Sequence, residues 1–255
     1  MDLRKGSKRI KSIYKGENYI PGLMVNGRLW QGAPGNVELA NANGDANYHK
    51  VYYGLTIGGD SGREWVTIDS GGMVKNTTVN YDGRLLVFSG FADSTTIEYY
   101  GSMTVAYGSA NNTLINPLGS AIITDGKMNN TKLFTGRLYI SGGSVYNTEI
   151  FADAQVYVGS AAGYAQKDIQ TVTINSGGSM FIENSVISDH SGVRHIIIES
   201  GGYMQMSGGA ARADDITVSS GGTLRVYGDY SSATNVTSMT GADVHTYDSA
   251  TITYK

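Results

Sequence analysis

Several residue types are scarce, and each absence excludes a class of protein. The 255 residues contain no cysteine and only three prolines. Disulfides, Cys-ligated zinc, thiol catalysis and iron–sulfur clusters are therefore excluded, and so is a collagen-like chain. No apolar run approaches the roughly 18 residues that a membrane-spanning helix needs. No apolar segment follows the basic N-terminus, so we expect no secretory signal.

The abundant residues are those of β-structure. The chain has 35 glycines, 20 isoleucines, 18 valines and 22 threonines, but only 12 leucines. Side chains branched at Cβ are stiff and suit a pleated strand, so a leucine-rich helical bundle is disfavoured. Eighteen tyrosines and a net charge of -3 also argue against disorder.

Positive charge is concentrated at the N-terminus. Residues 1–15 hold six basic residues against one Asp, whereas the remaining chain has a net charge of -8. An acidic body argues against nucleic-acid binding as the main function, because phosphate neutralisation needs clustered Lys and Arg. We interpret the basic segment as a docking site for an acidic partner. The candidate docking residues are Arg4, Lys5, Lys8, Arg9, Lys11 and Trp30.

A repeat begins near Val66. Glycines recur at 83, 101, 119 and 136, at intervals of 18, 18 and 17 residues. Each is followed by a short alternating strand, and no helical periodicity separates the strands. A repeat of about 20 residues with short strands is typical of a solenoid. Six Ser-Gly-Gly triplets recur in the same region, at Ser70, Ser141, Ser176, Ser200, Ser207 and Ser220.

These patterns predict an all-β protein of two parts. Residues 66–255 are predicted to form a parallel β-solenoid of roughly ten coils, a rod about 45–50 Å long. Residues 1–65 are predicted to form a small, irregular, β-rich head that caps the first coil and docks to a larger particle. Within this head, Asn26-Gly27 predicts the turn of a β-hairpin.

Two resemblances to known protein families add to this prediction. The segments Thr67–Val79 and Ile216–Val226 resemble the Ser-Gly-Gly repeats of AIDA-type autotransporter passengers. That resemblance, over about residues 66–228, implies a right-handed parallel β-helix on a bacterial surface that acts in adhesion or self-association. The segment Ile10–Gly16 is similar to a short segment near the start of phage tail and baseplate proteins. A start at Met1 without a signal segment favours a tail component over a secreted passenger.

Sequence motifs for catalysis are weak. Glycoside hydrolysis needs two carboxyl groups about 5–10 Å apart, and some candidates fall on adjacent coils. They are Asp168, Glu183, Glu199, Asp214 and Asp215, with His190 and His195 nearby. No nucleophile elbow, calcium repeat or phosphate loop is present. We predict no enzymatic activity, cofactor or metal, and interpret the Asn-x-Thr matches at Asn76, Asn111, Asn129 and Asn235 as chance.

Tyrosine is the most suggestive residue type for binding, since its ring is flat and amphipathic. The candidate binding residues are Tyr99, Tyr107, Tyr139, Tyr157 and Tyr164. The alternative is that they are ladder residues supporting a sheet. Our main hypothesis is a structural and binding component of a phage tail, a virion protein contacting other tail or baseplate proteins and a host-surface glycan or protein. A bacterial surface adhesin and a polysaccharide-degrading tailspike are the alternatives, and homo-oligomerisation stays open.

Overall fold

The computed structural model describes residues 51–59, 65–69, 72–159, 167–183, 192–208 and 211–255, and the backbone of seven short strands between residues 4 and 39. All regular structure in these ranges is β-strand. The strands are β1 (Arg4–Lys5), β2 (Lys8–Arg9), β3 (Tyr14–Lys15), β4 (Asn18–Tyr19), β5 (Met24–Val25), β6 (Arg28–Leu29), β7 (Val37–Leu39), β8 (Val51–Tyr53), β9 (Thr56–Ile57), β10 (Trp65–Ile68), β11 (Met73–Val79), β12 (Arg84–Val87), β13 (Phe91–Ile97), β14 (Ser102–Val105) and β15 (Ser109–Ile115). They continue as β16 (Ser120–Ile123), β17 (Lys127–Leu133), β18 (Arg137–Ile140), β19 (Gly143–Ile150), β20 (Gln155–Val158), β21 (Lys167–Ile174), β22 (Ser179–Glu183), β23 (Val193–Ile198), β24 (Tyr203–Ser207), β25 (Arg212–Val218), β26 (Thr223–Val226), β27 (Ser232–Ser238), β28 (Asp243–Thr246) and β29 (Thr251–Tyr254).

The chain winds as a parallel β-solenoid. From β10 onward the strands alternate between two sheets, and every strand pairs with the strand two places along the chain. Sheet A contains 11 strands, which are β7 and the even-numbered strands from β10 to β28. Sheet B contains 12 strands, which are β8 and the odd-numbered strands from β11 to β29 in continuous order, together with β9, which also pairs with β11. The pairings within both sheets are parallel, as in Leu85 opposite Met103 and Ile97 opposite Ile115. The predicted all-β solenoid is confirmed.

Sheet B bends once in every coil. In each odd-numbered strand from β11 to β27, one residue in the middle has a left-handed backbone, with φ between 51° and 59°. Because of this residue, two outward side chains instead of one lie between successive inward side chains. The residue itself has no partner in the pairing register, as at Asn112, where Asn111 and Thr113 are paired. Each coil therefore has three corners. We call this column the asparagine corner; its residues are Asn76, Ser94, Asn112, Asn130, Asn147, Thr171, His195, Asp215 and Asn235.

Residue identity at the asparagine corner follows from the backbone. A left-handed conformation is uncommon for residues other than glycine, and Asn and Asp tolerate it best. The dipeptide Asn-Thr occurs at residues 76, 112, 130 and 147 because each coil needs such a residue at the same place. Two of the Asn-x-Thr matches, Asn76 and Asn235, occupy this corner, so their asparagines are explained by the backbone, and the interpretation of the motif as chance stays a prediction.

Apolar columns fill the space between the sheets. Inward residues of successive coils face each other in register, for example Ile174 with Ile198 and Met180 with Met204. Each of these four side chains is no more than 1% exposed. Burial of a side chain of this size contributes about 1.5–3 kcal/mol relative to exposure. The core is therefore a continuous line of apolar residues along the axis.

One inward column is polar for half its length. Thr77, Thr95, Thr113, Thr131 and Thr148 directly follow the asparagine corner and are at most 2% exposed. Their Oγ1 atoms have no hydrogen-bond partner. In later coils the same column contains Val172, Ile196, Ile216 and Val236. The hydroxyl is thus dispensable for the column, and its burial without a partner costs stability.

Glycine is required where coils approach most closely. A Cβ atom on Gly101 would lie 2.2 Å from the carbonyl oxygen of Val79 in the preceding coil. The Ser-Gly-Gly triplets occupy two corners. Those beginning at Ser176, Ser200 and Ser220 precede strands of sheet A, and the triplet at Ser141 precedes a strand of sheet B. In the first group the middle glycine has a φ of 76–77°, which explains its identity.

Upstream of Val66, described strands are both antiparallel and parallel. Strands β5 and β6 pair with Met24 opposite Leu29, so the predicted hairpin around Asn26-Gly27 is confirmed. Strands β7 and β8 pair in parallel with β10 and β11. Solenoid pairing in the described residues therefore begins at Val37, ahead of the predicted boundary at residue 66.

The threonine column yields a stability prediction. Replacing Thr113 with Val keeps the shape and removes a buried hydroxyl that has no partner. We expect a gain of about 1 kcal/mol, or roughly 2–4 °C in Tm, by thermal denaturation followed by circular dichroism. The reverse change Val172→Thr is the matched control, and we expect it to lower the Tm by a similar amount. A lower Tm for Thr113→Val would contradict the explanation.

Candidate binding surfaces

Two of the predicted tyrosines form part of an aromatic ladder on the outer face of sheet A. The rings of Tyr139 and Tyr157 lie 5.2 Å apart at 11°, and those of Tyr157 and Phe181 lie 5.1 Å apart at 16°. Tyr203 continues the series at 6.0 Å from Phe181. Stacking of this kind covers the ring faces of Tyr157 on both sides. The ladder alternative therefore describes Tyr139 and Tyr157 better than a platform for ligand stacking.

The other two predicted binding tyrosines that the structure describes, Tyr99 and Tyr107, lie at corners and are more exposed. Tyr107 is 64% exposed and contacts Phe88 edge to face at 5.3 Å. Tyr99 is 52% exposed and meets Tyr100 at a centroid distance of 4.3 Å. The neighbouring Tyr100 hydroxyl raises the pKa of Tyr99 above its usual value.

Tyr99 belongs to a larger apolar surface. Four successive turns from sheet B to sheet A, preceding β12, β14, β16 and β18, each expose an apolar side chain. We call this surface the aromatic ridge; its residues are Tyr81, Tyr99, Tyr100, Leu118 and Phe134. The ring of Tyr81 packs against Tyr100 of the next coil at 5.8 Å, so neighbouring turns are in contact. In the next coil, the turn before β20 carries Phe151, whose ring stacks on Phe134 at 4.4 Å. The turns before β22, β24 and β26 are Ser-Gly-Gly, and an exposed apolar side chain returns at Met239 in the turn before β28. The ridge as defined therefore lies in the N-terminal coils.

Several predicted residues lie outside what the structure describes. They include Tyr164, Lys11, Trp30 and His190. Arg4 pairs with Arg9, and Lys5 with Lys8, in the antiparallel backbone of β1 and β2. The docking role assigned to these side chains stays a prediction.

Asp168, a candidate catalytic carboxylate, is held by three neighbours. Its oxygens accept hydrogen bonds from the Tyr146 hydroxyl at 2.6 Å, the Gln170 amide at 2.8 Å and the Arg194 guanidinium at 3.1 Å. The three partners lie on β19, β21 and β23, so they link adjacent coils. The Asp168 carboxylate raises the pKa of Tyr146, because it accepts a hydrogen bond that only the protonated Tyr146 hydroxyl can donate. The arrangement is that of a cross-strand polar ladder.

Asp214 and Asp215 are also hydrogen-bonded to neighbouring coils. Asp214 accepts from Thr234 at 2.7 Å and Asn235 at 2.8 Å, and these bonds lower its pKa. Asp215 contacts Lys255 and, at 2.5 Å, His195. The Lys255 and His195 hydrogen bonds lower the pKa of Asp215. Both carboxyl groups are thus stabilised as anions, whereas a glycosidase acid needs a raised pKa.

The two remaining carboxylates differ in their contacts. Glu199 accepts a hydrogen bond from the Ser219 hydroxyl at 3.1 Å, again between successive coils. Glu183 ends β22 and is exposed. The structure thus joins four of the five candidate carboxylates, Asp168, Glu199, Asp214 and Asp215, to side chains of neighbouring coils by hydrogen bonds.

The asparagine corner carries a polar surface that our sequence analysis missed. Asn112 donates its amide to Asp93 at 3.0 Å, and Asn130 donates to Asn112 at 3.1 Å. Asn147 donates to Asn129 at 3.0 Å and to Asn130 at 3.2 Å. Every amide in this ladder donates toward the preceding coil. The recurring Asn-Thr dipeptide was the sequence signal that could have located it.

A depression of about 280 Å³ runs beside this ladder, from Asn112 to Thr171, where the ladder stops. Its lining includes Asn130, Asn147 and Thr171 from the asparagine corner, and Lys132, Glu149 and Thr173 from the adjoining face of sheet B. The Lys132 ammonium lies 3.0 Å from a carboxylate oxygen of Glu149. The lining is therefore polar and carries compensating charges.

Neither a candidate metal centre nor a candidate membrane-spanning helix occurs in the described ranges. No three His, Asp or Glu side chains there converge in a way that could hold a metal ion. In the same ranges, no helix is long and apolar enough to cross a membrane.

The pKa shift of Asp214 predicts a dependence of stability on pH. Because its folded pKa is lowered, its contribution is present above the unfolded value near 3.9 and is lost as the pH falls through the folded pKa. We expect the Tm to fall on acidification from pH 5 to pH 2, with a smaller fall in Asp214→Asn. The group is partly solvated, so the difference should be below about 1 kcal/mol. Equal falls in both proteins would contradict this assignment.

Comparison with protein-family models and with curated proteins finds no match. Among solved structures, the chain is similar to a TibA fragment, residues 55–350, hyper-glycosylated by TibC. The two share 24% sequence identity with a TM-score of 0.58, over 80% of this chain and 84% of the fragment. The similarity establishes that the chain has the β-solenoid fold of that fragment.

Proposed function

We propose that the protein is a non-enzymatic adhesin of a bacterial cell surface, and that the aromatic ridge contacts a glycan or protein of the host surface. This is the alternative of our sequence analysis and not its main hypothesis. The fold similarity to the TibA fragment and the AIDA-type Ser-Gly-Gly repeats both favour it. The phage-tail interpretation rested on the segment Ile10–Gly16, most of which lies outside the described residues, and stays a prediction.

The observation that carries the proposal is the exposure of the aromatic ridge. Tyr81, Tyr99 and Tyr100 are each 52% exposed on adjacent turns. Contiguous apolar surface that a monomer leaves uncovered marks an interaction site. Tyrosine in particular offers large contact area at low cost in side-chain entropy, with a hydroxyl for polar contact. A rod that repeats one corner from coil to coil presents these rings as a row.

Adhesion should depend on the ridge. Beads coated with the full chain are expected to bind cultured epithelial cells, and Tyr99→Ser/Tyr100→Ser should lower the bound fraction about tenfold or more. Tyr230→Ser is the matched control, because Tyr230 is also a tyrosine with a left-handed backbone and is 79% exposed. We expect no loss of binding in that variant.

Three results of this assay would decide against the proposal. They are absence of binding by the unmodified chain, equal losses in the ridge and control variants, and binding that the ridge variant retains in full. If the beads instead aggregate with one another and this aggregation needs the ridge, the ridge joins copies of the chain, and host contact is overturned.

The non-enzymatic part of the proposal is supported by the hydrogen bonds and lowered pKa values of Asp214 and Asp215. Incubation of the protein with lipopolysaccharide, capsule or mucin glycans should leave the glycan size unchanged in size-exclusion chromatography. Shortening that disappears in Asp214→Asn or Glu183→Gln would show that the protein is a polysaccharide-degrading enzyme.

A further inference from the structure

The depression at the asparagine corner runs along four coils, from Asn112 to Thr171, and one end of it is set by Thr171. Asn147 is the last asparagine of the amide ladder, and Thr171 occupies the equivalent corner position in the next coil. In the three preceding steps, the side chain of each new coil donates to the coil before it. Within the described chain no side chain donates to the Asn147 carbonyl oxygen. The shorter threonine therefore leaves a free acceptor at that end of the depression.

Thr171 is also an unfavourable residue for its backbone. Its φ is 59°, and a side chain branched at Cβ in the left-handed region is a genuine outlier. Most coils have Asn or Asp at this corner, and these residues adopt the left-handed backbone with less strain. Strained residues that persist beside a concave polar surface are candidates for a functional role. Thr135, with a φ of 60°, has the same strain at a different corner and does not line the depression.

The lining of the depression defines the chemistry of a ligand. The Asn147 carbonyl and the Glu149 carboxylate accept hydrogen bonds, Lys132 donates, and the hydroxyls of Thr171 and Thr173 do either. Lys132 and Glu149 compensate each other's charge, so the site does not select an ion. The lining contains no aromatic residue. A volume of about 280 Å³ lies just below the range of roughly 300–1,000 Å³ for ligand pockets.

We propose that this depression binds one neutral monosaccharide unit, with adjacent ring hydroxyls bridging Asn147 and the Lys132–Glu149 pair. A sugar ring offers donors and acceptors on neighbouring carbons, which matches the mixed lining. The biological meaning of the site rests on the proposed function as an adhesin. The site is separate from the aromatic ridge, and its ligand is tested with purified sugars, so either proposal can fail while the other stands.

The decisive variant is Thr171→Asn. An asparagine there relieves the strain, extends the amide ladder to the Asn147 carbonyl and occupies the end of the depression beside Asn147. We expect the Tm to rise by about 2 °C or more while sugar binding is lost. The readout is saturation-transfer NMR of the full chain with glucose, galactose, mannose, fucose, N-acetylglucosamine and N-acetylgalactosamine, each free in solution. At least one should bind the unmodified protein, and Thr171→Asn should weaken it tenfold or more.

Thr135→Asn is the matched control, since it relieves the same strain away from the depression. It should raise the Tm and leave sugar binding unchanged. A second variant, Lys132→Gln/Glu149→Gln, keeps the net charge and should also weaken binding. The proposal is overturned if none of the six sugars binds, if Thr171→Asn binds as well as the unmodified chain, or if Thr135→Asn loses binding equally. Loss of sugar binding without loss of cell adhesion would leave the ridge as the adhesive surface.

Discussion

The spacing of about 4.8 Å between hydrogen-bonded strands governs the whole structure. Each residue lies directly over its equivalent in the next coil. The size and polarity of the side chain at one position therefore constrain which side chain fits at the equivalent position one coil away. Inward columns accept stacked apolar side chains, as in Ile174 over Ile198. In the outward columns, side chains of the same type lie next to each other in successive coils, so aromatic rings stack and polar groups form hydrogen-bonded ladders. The core, the ridge and the asparagine ladder are three results of the same repeat distance.

The same spacing explains why the corners carry the informative residues. Strand positions tolerate several apolar side chains of suitable size. A corner must change the chain direction within one to four residues and still fit under the next coil. Gly101 meets this requirement by having no side chain near Val79, and Asn112 meets it by adopting a left-handed backbone. The surfaces that distinguish this protein, the ridge and the depression, both lie at corners.

Sequence reasoning located the fold because its periodicity is carried by glycine, which is easily recognised. The intervals between Gly83, Gly101, Gly119 and Gly136 matched the coil length, and alternation gave the inward residues. The third corner escaped because it lies inside a seven-residue strand without glycine. Tyr139 and Tyr157 could not be separated from Tyr99 and Tyr107, since the sequence does not show whether a ring stacks on its neighbours or faces solvent. The depression beside Thr171 could not be predicted, because the sequence alone does not show which residues of successive coils lie in the same column.

One coil shows how such a chain can change length. The turn before β16 has four residues, from Asn116 to Gly119, whereas the turn before β18 has three, from Phe134 to Gly136. Strands on both sides keep their register, with Ser120 opposite Arg137. A residue lost at this corner is thus absorbed locally, while one lost within a strand would turn every later side chain of that strand to the opposite face. Length variation among related chains should therefore accumulate at corners, or come as whole coils.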